Sequence, residues 1–474
     1  KLLSKSNGSS KLKAEVDSFE DTGYMLETLN GPNDQITLDS ELGSIDEGLI
    51  PERKTKKSNK PTVWSEFSAL SAETGAINLG QGFPNWDPPQ FVIDEAIKAI
   101  KSGFNQYTRT AGHPRLVEHL AERYSHHFKR RVDPYSQIAI TIGASQALYV
   151  AIKTLLNPGD EVILLEPYFD LYVGQIEIAD ATPVYSPMKV KDNEWVIDFD
   201  SIRSAITSST RLIIINSPHN PTGKVFTRDE MEEMACIVRE NPRLMVISDE
   251  VYKYMVYQND EAEKTIEPAS HIHFATLPGM WDRTITISSA GKTFSITGWQ
   301  VGWVLGPQWF IQEVQNALPY MQFCAPTPFQ EAMAAILERA DLPYKGFVNY
   351  YEWLRNDYLK RREKLEIALN AVNIPTMKGQ GGFFLIGDVS HFPVPDSYLK
   401  QETPAMPNMT HDWAFCRYLA MEHGLIGIPT SAFFRPNGTS NNSAYGKLVR
   451  FCFCKNDETL HAAASALEKM KQSF

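Results

Sequence analysis

The feature that most constrains this chain is a series of short, nearly unbroken apolar runs rich in β-branched residues, at residues 137–142, 161–165, 211–216, 244–248 and 284–288. A strand that faces water on one side alternates apolar and polar positions, whereas these runs are the pattern of strands buried on both faces. Helical periodicity lies between them. Ala147, Leu148, Ala151, Ile152 and Leu155 fall on one side of a helix that starts at Gly143, and residues 227–241 form another. Buried strands alternating with helices predict an α/β fold with a mostly parallel sheet covered on both faces.

The chain divides by pattern. Residues 1–60 are dominated by Ser, Asp, Glu, Lys, Gly and Asn with no sustained period, so a disordered or loosely attached extension is expected there. Residues 61–110 form an arm and part of a smaller domain, with a helix opened by Pro88 and Pro89 that carries Phe91, Ile93, Ala96, Ile97 and Ile100. The large domain spans 111–335. A smaller α+β domain spans 336–474, with a long helix over 350–372, strands near 381–386 and 448–453, and a Pro- and Met-rich surface excursion over 391–410.

Composition excludes several functions. A net charge of −11 argues against a nucleic-acid or anionic-membrane surface, which needs basic patches. No apolar run approaches the roughly 20 residues that cross a bilayer. The five cysteines show no zinc-ligand spacing, so no metal site is expected, and Cys452 and Cys454 read as small hydrophobes on one strand face. Such usage fits a reducing, cytoplasmic setting. The acidic residues from Glu15 to Glu47 contradict a mitochondrial leader, while the lysines and serines of the first 13 residues leave that destination open.

In open α/β sheets, ligands collect at the carboxyl ends of the strands. There the chain places Gly143-Ala144-Ser145, free amides at a helix start and suited to a phosphate. It also places Asn220 in the stiff Asn216-Ser217-Pro218-His219-Asn220-Pro221-Thr222-Gly223 loop, and Asp249 directly after an apolar run. A carboxylate so placed must be paired or it protonates. Lys292 follows the last run among Ser289, Ala290 and Gly291. It is either a solvated loop tip or a desolvated amine kept nucleophilic by a depressed pKa. An acid, an amide donor, a phosphate nest and an amine are what pyridoxal phosphate needs from a protein.

In this order, Asn220-Pro221-Thr222-Gly223, Ser248-Asp249-Glu250-Val251-Tyr252, Lys292, Gly298-Trp299 and Arg450-Phe451 resemble the class I aminotransferases of fold type I. Leu79-Gly80-Gln81-Gly82-Phe83-Pro84, Asn105-Gln106-Tyr107-Thr108, Ala275 through Trp281 and Arg450-Phe451-Cys452-Phe453 are similar to the kynurenine–oxoglutarate transaminase and cysteine-S-conjugate β-lyase group. The likeness runs from residue 61 to the end. It implies pyridoxal 5′-phosphate held covalently at Lys292, which also moves the substrate proton. It further implies Asp249 on the ring nitrogen, Tyr252 and Asn220 on the ring oxygen, Phe169 stacked on the ring, and Ala144, Ser145 and Ser289 on the phosphate. Arg450 and Gly82 would face the substrate carboxylate, and Trp64 the substrate side chain. Tyr107 and Phe323 would reach a neighbouring subunit's site, which implies a homodimer. The implied substrates are an amino acid (kynurenine, glutamine or aromatic) and a 2-oxo acid, with β-lyase chemistry on the side. Two positions depart from the pattern: relatives carry Lys or Arg on the phosphate at Gln300, and can carry His at Cys324. Aspartate, alanine or branched-chain transamination, or a non-catalytic binding or regulatory protein of the same fold, are the alternatives.

Overall fold

The computed structural model describes residues 61–257, 271–435 and 444–472. The expected extension at 1–60 lies outside the described residues.

In chain order the strands are β1 (Ile77–Asn78), β2 (Ile138–Ile142), β3 (Glu161–Glu166), β4 (Thr182–Pro187), β5 (Lys189–Lys191), β6 (Glu194–Val196), β7 (Thr210–Asn216), β8 (Met245–Asp249), β9 (Thr284–Ser289), β10 (Val301–Leu305), β11 (Phe384–Asp388), β12 (Leu425–Ile426), β13 (Ile428–Pro429) and β14 (Leu448–Cys452). Seven of them form one sheet in the order β2-β10-β9-β8-β7-β3-β4. All the predicted apolar runs are in it. The sheet is parallel from β4 across to β9, and only β10 runs antiparallel to its neighbours β9 and β2. Why the runs are apolar throughout is visible in β7: Leu212 and Ile214 pack into one core cluster and Ile213 and Ile215 into another, on opposite faces. Each such side chain contributes about 1.5–3 kcal/mol by leaving water.

Two strands of this sheet are absent from the sequence reading. β10 is wholly buried, but Gly302 and Trp303 interrupt its aliphatic run. β4 lies at the sheet edge with Pro183 and Pro187 in it, and edges are where proline is tolerated. A second, antiparallel sheet has the order β11-β14-β13, and β1 pairs with β12.

The helix predicted over 227–241 spans Arg228–Glu240, because Thr227 and Asn241 are its caps. Thr227 and Glu230 close a reciprocal capping box. The helix opened by Pro88 and Pro89 is present as Gln90–Lys101. Its inward residues are Phe91, Val92, Glu95, Ala96 and Ala99, while Ile97 and Ile100 are exposed at 45% and 49%. Small residues let it lie against the helix Thr327–Ala340, and Glu95 accepts from Arg339 across that contact at 3.1 Å. The 391–410 segment is a surface excursion in part: it holds a one-turn helix, Asp396–Leu399, and turns Met406 and Met409 onto the core. Among the described residues, no helix is long and apolar enough to cross a membrane.

Candidate active site

The carboxyl ends of β2, β7, β8 and β9 open on one cavity of about 220 Å³. Of the residues expected to hold cofactor or substrate, Trp64, Gly82, Ala144, Ser145, Phe169, Asn220, Asp249, Tyr252, Ser289, Lys292, Gln300 and Arg450 all line it. Tyr107 and Phe323 do not. They lie on the surface at 78% and 55% exposure with their rings 4.7 Å apart.

At the phosphate-suited end, β2 runs straight into the helix Gly143–Leu155, which has no side-chain cap, so its first amides face the cavity. Gly143 sits at φ +69°, and a Cβ there would run into Gln300 Oε1. Gln300 itself is left-handed at φ 52°, accepts from Gly143 N at 2.8 Å and donates its Nε2 to Thr297 O at 2.6 Å. The only side-chain bond it makes among the described residues is therefore to backbone, and it carries no charge.

Asp249 ends β8 and is fully enclosed. Burial pushes its carboxyl up to about 6, against the pull of a bond from Tyr172 Oη to Oδ2 at 2.7 Å and a longer one from Val251 N to Oδ1 at 3.3 Å. No described Lys, Arg or His forms an ion pair with it. Asn216 Nδ2 fixes the Asp249 carbonyl at 3.0 Å, and Asn216 Oδ1 accepts from Asn220 N at 2.7 Å. Tyr252 is buried edge-on to Phe383 and Phe384, and burial raises its phenol well above the ordinary value.

Lys292 lies in the short helix Gly291–Phe294 after β9. Burial lowers its amine below the ordinary value, and the nearby Arg450 charge adds to this. Its Nζ donates to Gly82 O at 2.9 Å. The loop-tip alternative is thus excluded. Arg450, in the middle of β14 and 1% exposed, donates Nη1 to Asn220 Oδ1 at 2.9 Å and Nη2 to Gly80 O at 2.6 Å. Its Nε has no hydrogen-bond partner among the described residues. The guanidinium lies within 5.2 Å of the Trp64, Phe384 and Phe433 rings, and Trp64 Nε1 is held by Asp170 Oδ2 at 2.8 Å.

Three partners were missed from sequence. Tyr172 is one and Asn216, on the Asp249 backbone, is another. The third is Lys455, a buried ammonium that donates to Gln81 O and Phe83 O, both at 3.1 Å. Four consecutive carbonyls, Gly80 to Phe83, are therefore each met by Arg450, Lys455 or Lys292. Cys452, buried in the core as the small hydrophobe expected, also turns its thiol to Gly80 O at 3.3 Å. Burial alone would raise it, but the Cys454 thiol and the Arg450, Lys455 and Lys292 charges outweigh that and bring it to about 6.

These residues fit pyridoxal phosphate. Among the described residues a buried carboxylate has no cation in ion-pair contact, a buried amine has no anion in ion-pair contact, and the Ala144 and Ser145 positions at a helix start line the cavity. The comparisons agree. Residues 74–467 match the family model for aminotransferase class I and II. A kynurenine–oxoglutarate transaminase of Dictyostelium discoideum is 41% identical over 438 residues, 89% of this chain and 97% of that protein. Kynurenine–oxoglutarate transaminase 3 of Homo sapiens is 37% identical, covering 86% of this chain and 87% of its own length. Among solved structures, N-succinyldiaminopimelate aminotransferase from Mycobacterium tuberculosis superposes with a TM-score of 0.75 at 35% identity, over 87% of this chain and 97% of that one.

Proposed function

Since the chain belongs to the class I and II aminotransferases, a pyridoxal-phosphate-dependent family, we propose that it moves the amino group of kynurenine, glutamine or an aromatic amino acid to 2-oxoglutarate. The observation that carries this reading is the single cavity in which a desolvated Lys292 amine, a cation-free Asp249 carboxylate and an anion-free Arg450 guanidinium converge. The relatives from D. discoideum and H. sapiens are kynurenine–oxoglutarate transaminases, which supports kynurenine as donor and 2-oxoglutarate as acceptor.

Bound there, pyridoxal phosphate supplies an aldehyde that takes the substrate amine and a ring that withdraws electrons from its Cα. The chain's own residues do the rest. Arg450 exchanges the Gly80 and Asn220 oxygens for the substrate carboxylate, whose two oxygens match the guanidinium fork. Lys292, whose amine burial lowers below its ordinary value, takes the proton from Cα and returns it on the other side of the transfer. Asp249 would hold a proton at the ring nitrogen, and the charge pair would give the buried carboxylate the cation it is not offered by the described residues. Tyr252 and Asn220 would hold the ring oxygen, Phe169 the ring face, and the Ala144 and Ser145 amides with Ser289 the phosphate. Trp64, fixed by Asp170, walls the substrate side chain and favours large or apolar donors.

A leaving group on the substrate β-carbon would divert the same deprotonated species to elimination, so cysteine-S-conjugate β-lyase activity is proposed as a side reaction. Residues 111–335 and 336–474 are proposed as the large and small domains. Tyr107 and Phe323 are proposed to complete a second subunit's cavity in a homodimer of the cytoplasm. A screen of donors against oxo acids tests the reading. Kynurenine or glutamine should transfer to 2-oxoglutarate with ping-pong kinetics, and Lys292→Ala should lose both activity and the borohydride-sensitive absorbance. Transfer confined to aspartate, alanine or branched-chain donors, or kinetics requiring both substrates bound at once, would overturn it.

A further inference from the structure

Beneath the active site, a second polar cluster is built around the residue that follows Asp249. Glu250 is fully buried and does not line the cofactor cavity. Its Oε2 lies 2.6 Å from His273 Nδ1 and 3.2 Å from His271 Nε2. Ser248 Oγ donates to the other oxygen, Oε1, at 3.0 Å, which turns Oε2 toward the imidazoles. His271 and His273 are two apart on extended backbone, with His273 at φ −77°, ψ 116°, and that spacing puts both rings on one side.

We propose that Glu250, His271 and His273 bind a divalent ion of the zinc class. Two histidines and a carboxylate are zinc ligands in protein sites, and three observations fit them to one ion. Two imidazoles on one tetrahedral ion, each nitrogen about 2.0–2.1 Å from it, place their ring centres about 5 Å apart, and these centres are 4.8 Å apart. The three ligating atoms lie within 4.8 Å of one another, so side-chain shifts of about 1 Å bring all of them to bonding distance of a common centre. The His271 side chain is only 5% exposed, yet neither of its ring nitrogens completes a hydrogen bond among the described residues. Nε2 faces the Glu250 carboxylate at 3.2 Å without hydrogen-bond geometry, and an ion between the two would bond both.

The surroundings are compatible. The Lys253 ammonium is engaged by Tyr124, donating to its hydroxyl at 2.6 Å and lying 4.1 Å from its ring centre. Ser248 acts on the carboxylate as an outer partner that orients a ligand. A bound ion would fasten the chain just past Asp249 to the segment at 271–273 and so stiffen the base of the ring-nitrogen acid.

Zinc is the probe. The holoenzyme, stripped with chelator, reloaded with zinc and dialysed, should retain one ion per chain. Glu250→Gln and His273→Ser should lose it, and Ser248→Ala should bind zinc about 10–100-fold more weakly, the usual effect of removing an outer partner. Cobalt in place of zinc should give the visible d–d bands of a tetrahedral nitrogen–oxygen site, which a merely hydrogen-bonded Glu–His cluster cannot produce. Retention of cofactor absorbance marks the variants that fold. The cobalt spectrum of the wild type decides the matter alone if they do not. No retained zinc, zinc retained equally by all three variants, or no tetrahedral cobalt bands would each overturn the proposal.

Discussion

Asp249→Asn should make the cofactor-free protein more stable at neutral pH while abolishing catalysis. The magnitude follows from the carboxyl's surroundings. Asp249 is enclosed and has no cation beside it, and burial lifts it to about 6 in the fold, against about 3.9 in an unfolded chain. A group raised on folding gives stability that is fully present below the unfolded value, near pH 4, and lost as pH rises through about 6. By pH 7 the loss is about 3 kcal/mol, at 1.36 kcal/mol per pH unit. Asparagine keeps an oxygen for the Tyr172 hydroxyl and never ionises, so it avoids that loss and should gain up to about 2 kcal/mol at pH 7.5 after a cost of about 1–3 kcal/mol for its extra amide hydrogens. Asp412, buried and also at about 6, titrates over the same range. The informative quantity is therefore the difference between wild type and variant in urea unfolding at each pH from 4 to 8. That difference should be small at pH 4, open through pH 6, and shrink in the wild-type holoenzyme, where the protonated ring nitrogen stabilises the carboxylate. Parallel curves for the two cofactor-free proteins would refute the reasoning.

Other substitutions test the cavity from its remaining sides. Gln300→Lys should retain pyridoxal phosphate about 5–150-fold more tightly in equilibrium dialysis, the equivalent of about 1–3 kcal/mol for a bond to a charged group; equal affinity would show that the amide already suffices. Gly143→Ala forces a side chain to φ +69° and into Gln300. It should cost about 1–3 kcal/mol of stability and release cofactor, measurable as lost absorbance after gel filtration. Lys455→Met leaves the Gln81 and Phe83 carbonyls without their donor. It should destabilise the protein by about 1.5–3 kcal/mol and raise the amino-acid KM more than it lowers kcat, with Lys455→Arg recovering part of both. An unchanged KM would confine Lys455 to a structural role.

What could be read from sequence was what sits in a rigid local context. Asp249 and Lys292 each follow a run buried on both faces, Asn220 lies in a proline-braced loop, and the helical pattern over 227–241 obeys local periodicity. What could not be read depends on distant backbone. Lys455 is given its role by carbonyls 372 and 374 positions away in the chain. Tyr172 lies in the helix Leu171–Ile178, where an apolar setting makes any tyrosine look like filling, and only the fold brings its hydroxyl to Asp249. Which face of the helix Gln90–Lys101 turns inward was not legible either, because hydrophobicity alone cannot choose between two adjacent stripes, and Ile97 and Ile100 are exposed. The choice fell to Ala96, Ala99 and Glu95, which fit the neighbouring helix.

The grip of Arg450 on Gly80 O and Asn220 Oδ1 has a consequence for selectivity. The guanidinium never waits empty, so the chain carries its own competitor for the carboxylate site, tethered and at high local concentration. An incoming amino acid must win an exchange, and its apparent affinity is the difference between two occupancies. That difference is the same for every α-amino acid, because each presents the same carboxylate. Discrimination among donors is thereby left to the side-chain end of the cavity, at the indole of Trp64, while the exchange keeps common amino acids from saturating the enzyme merely by being abundant.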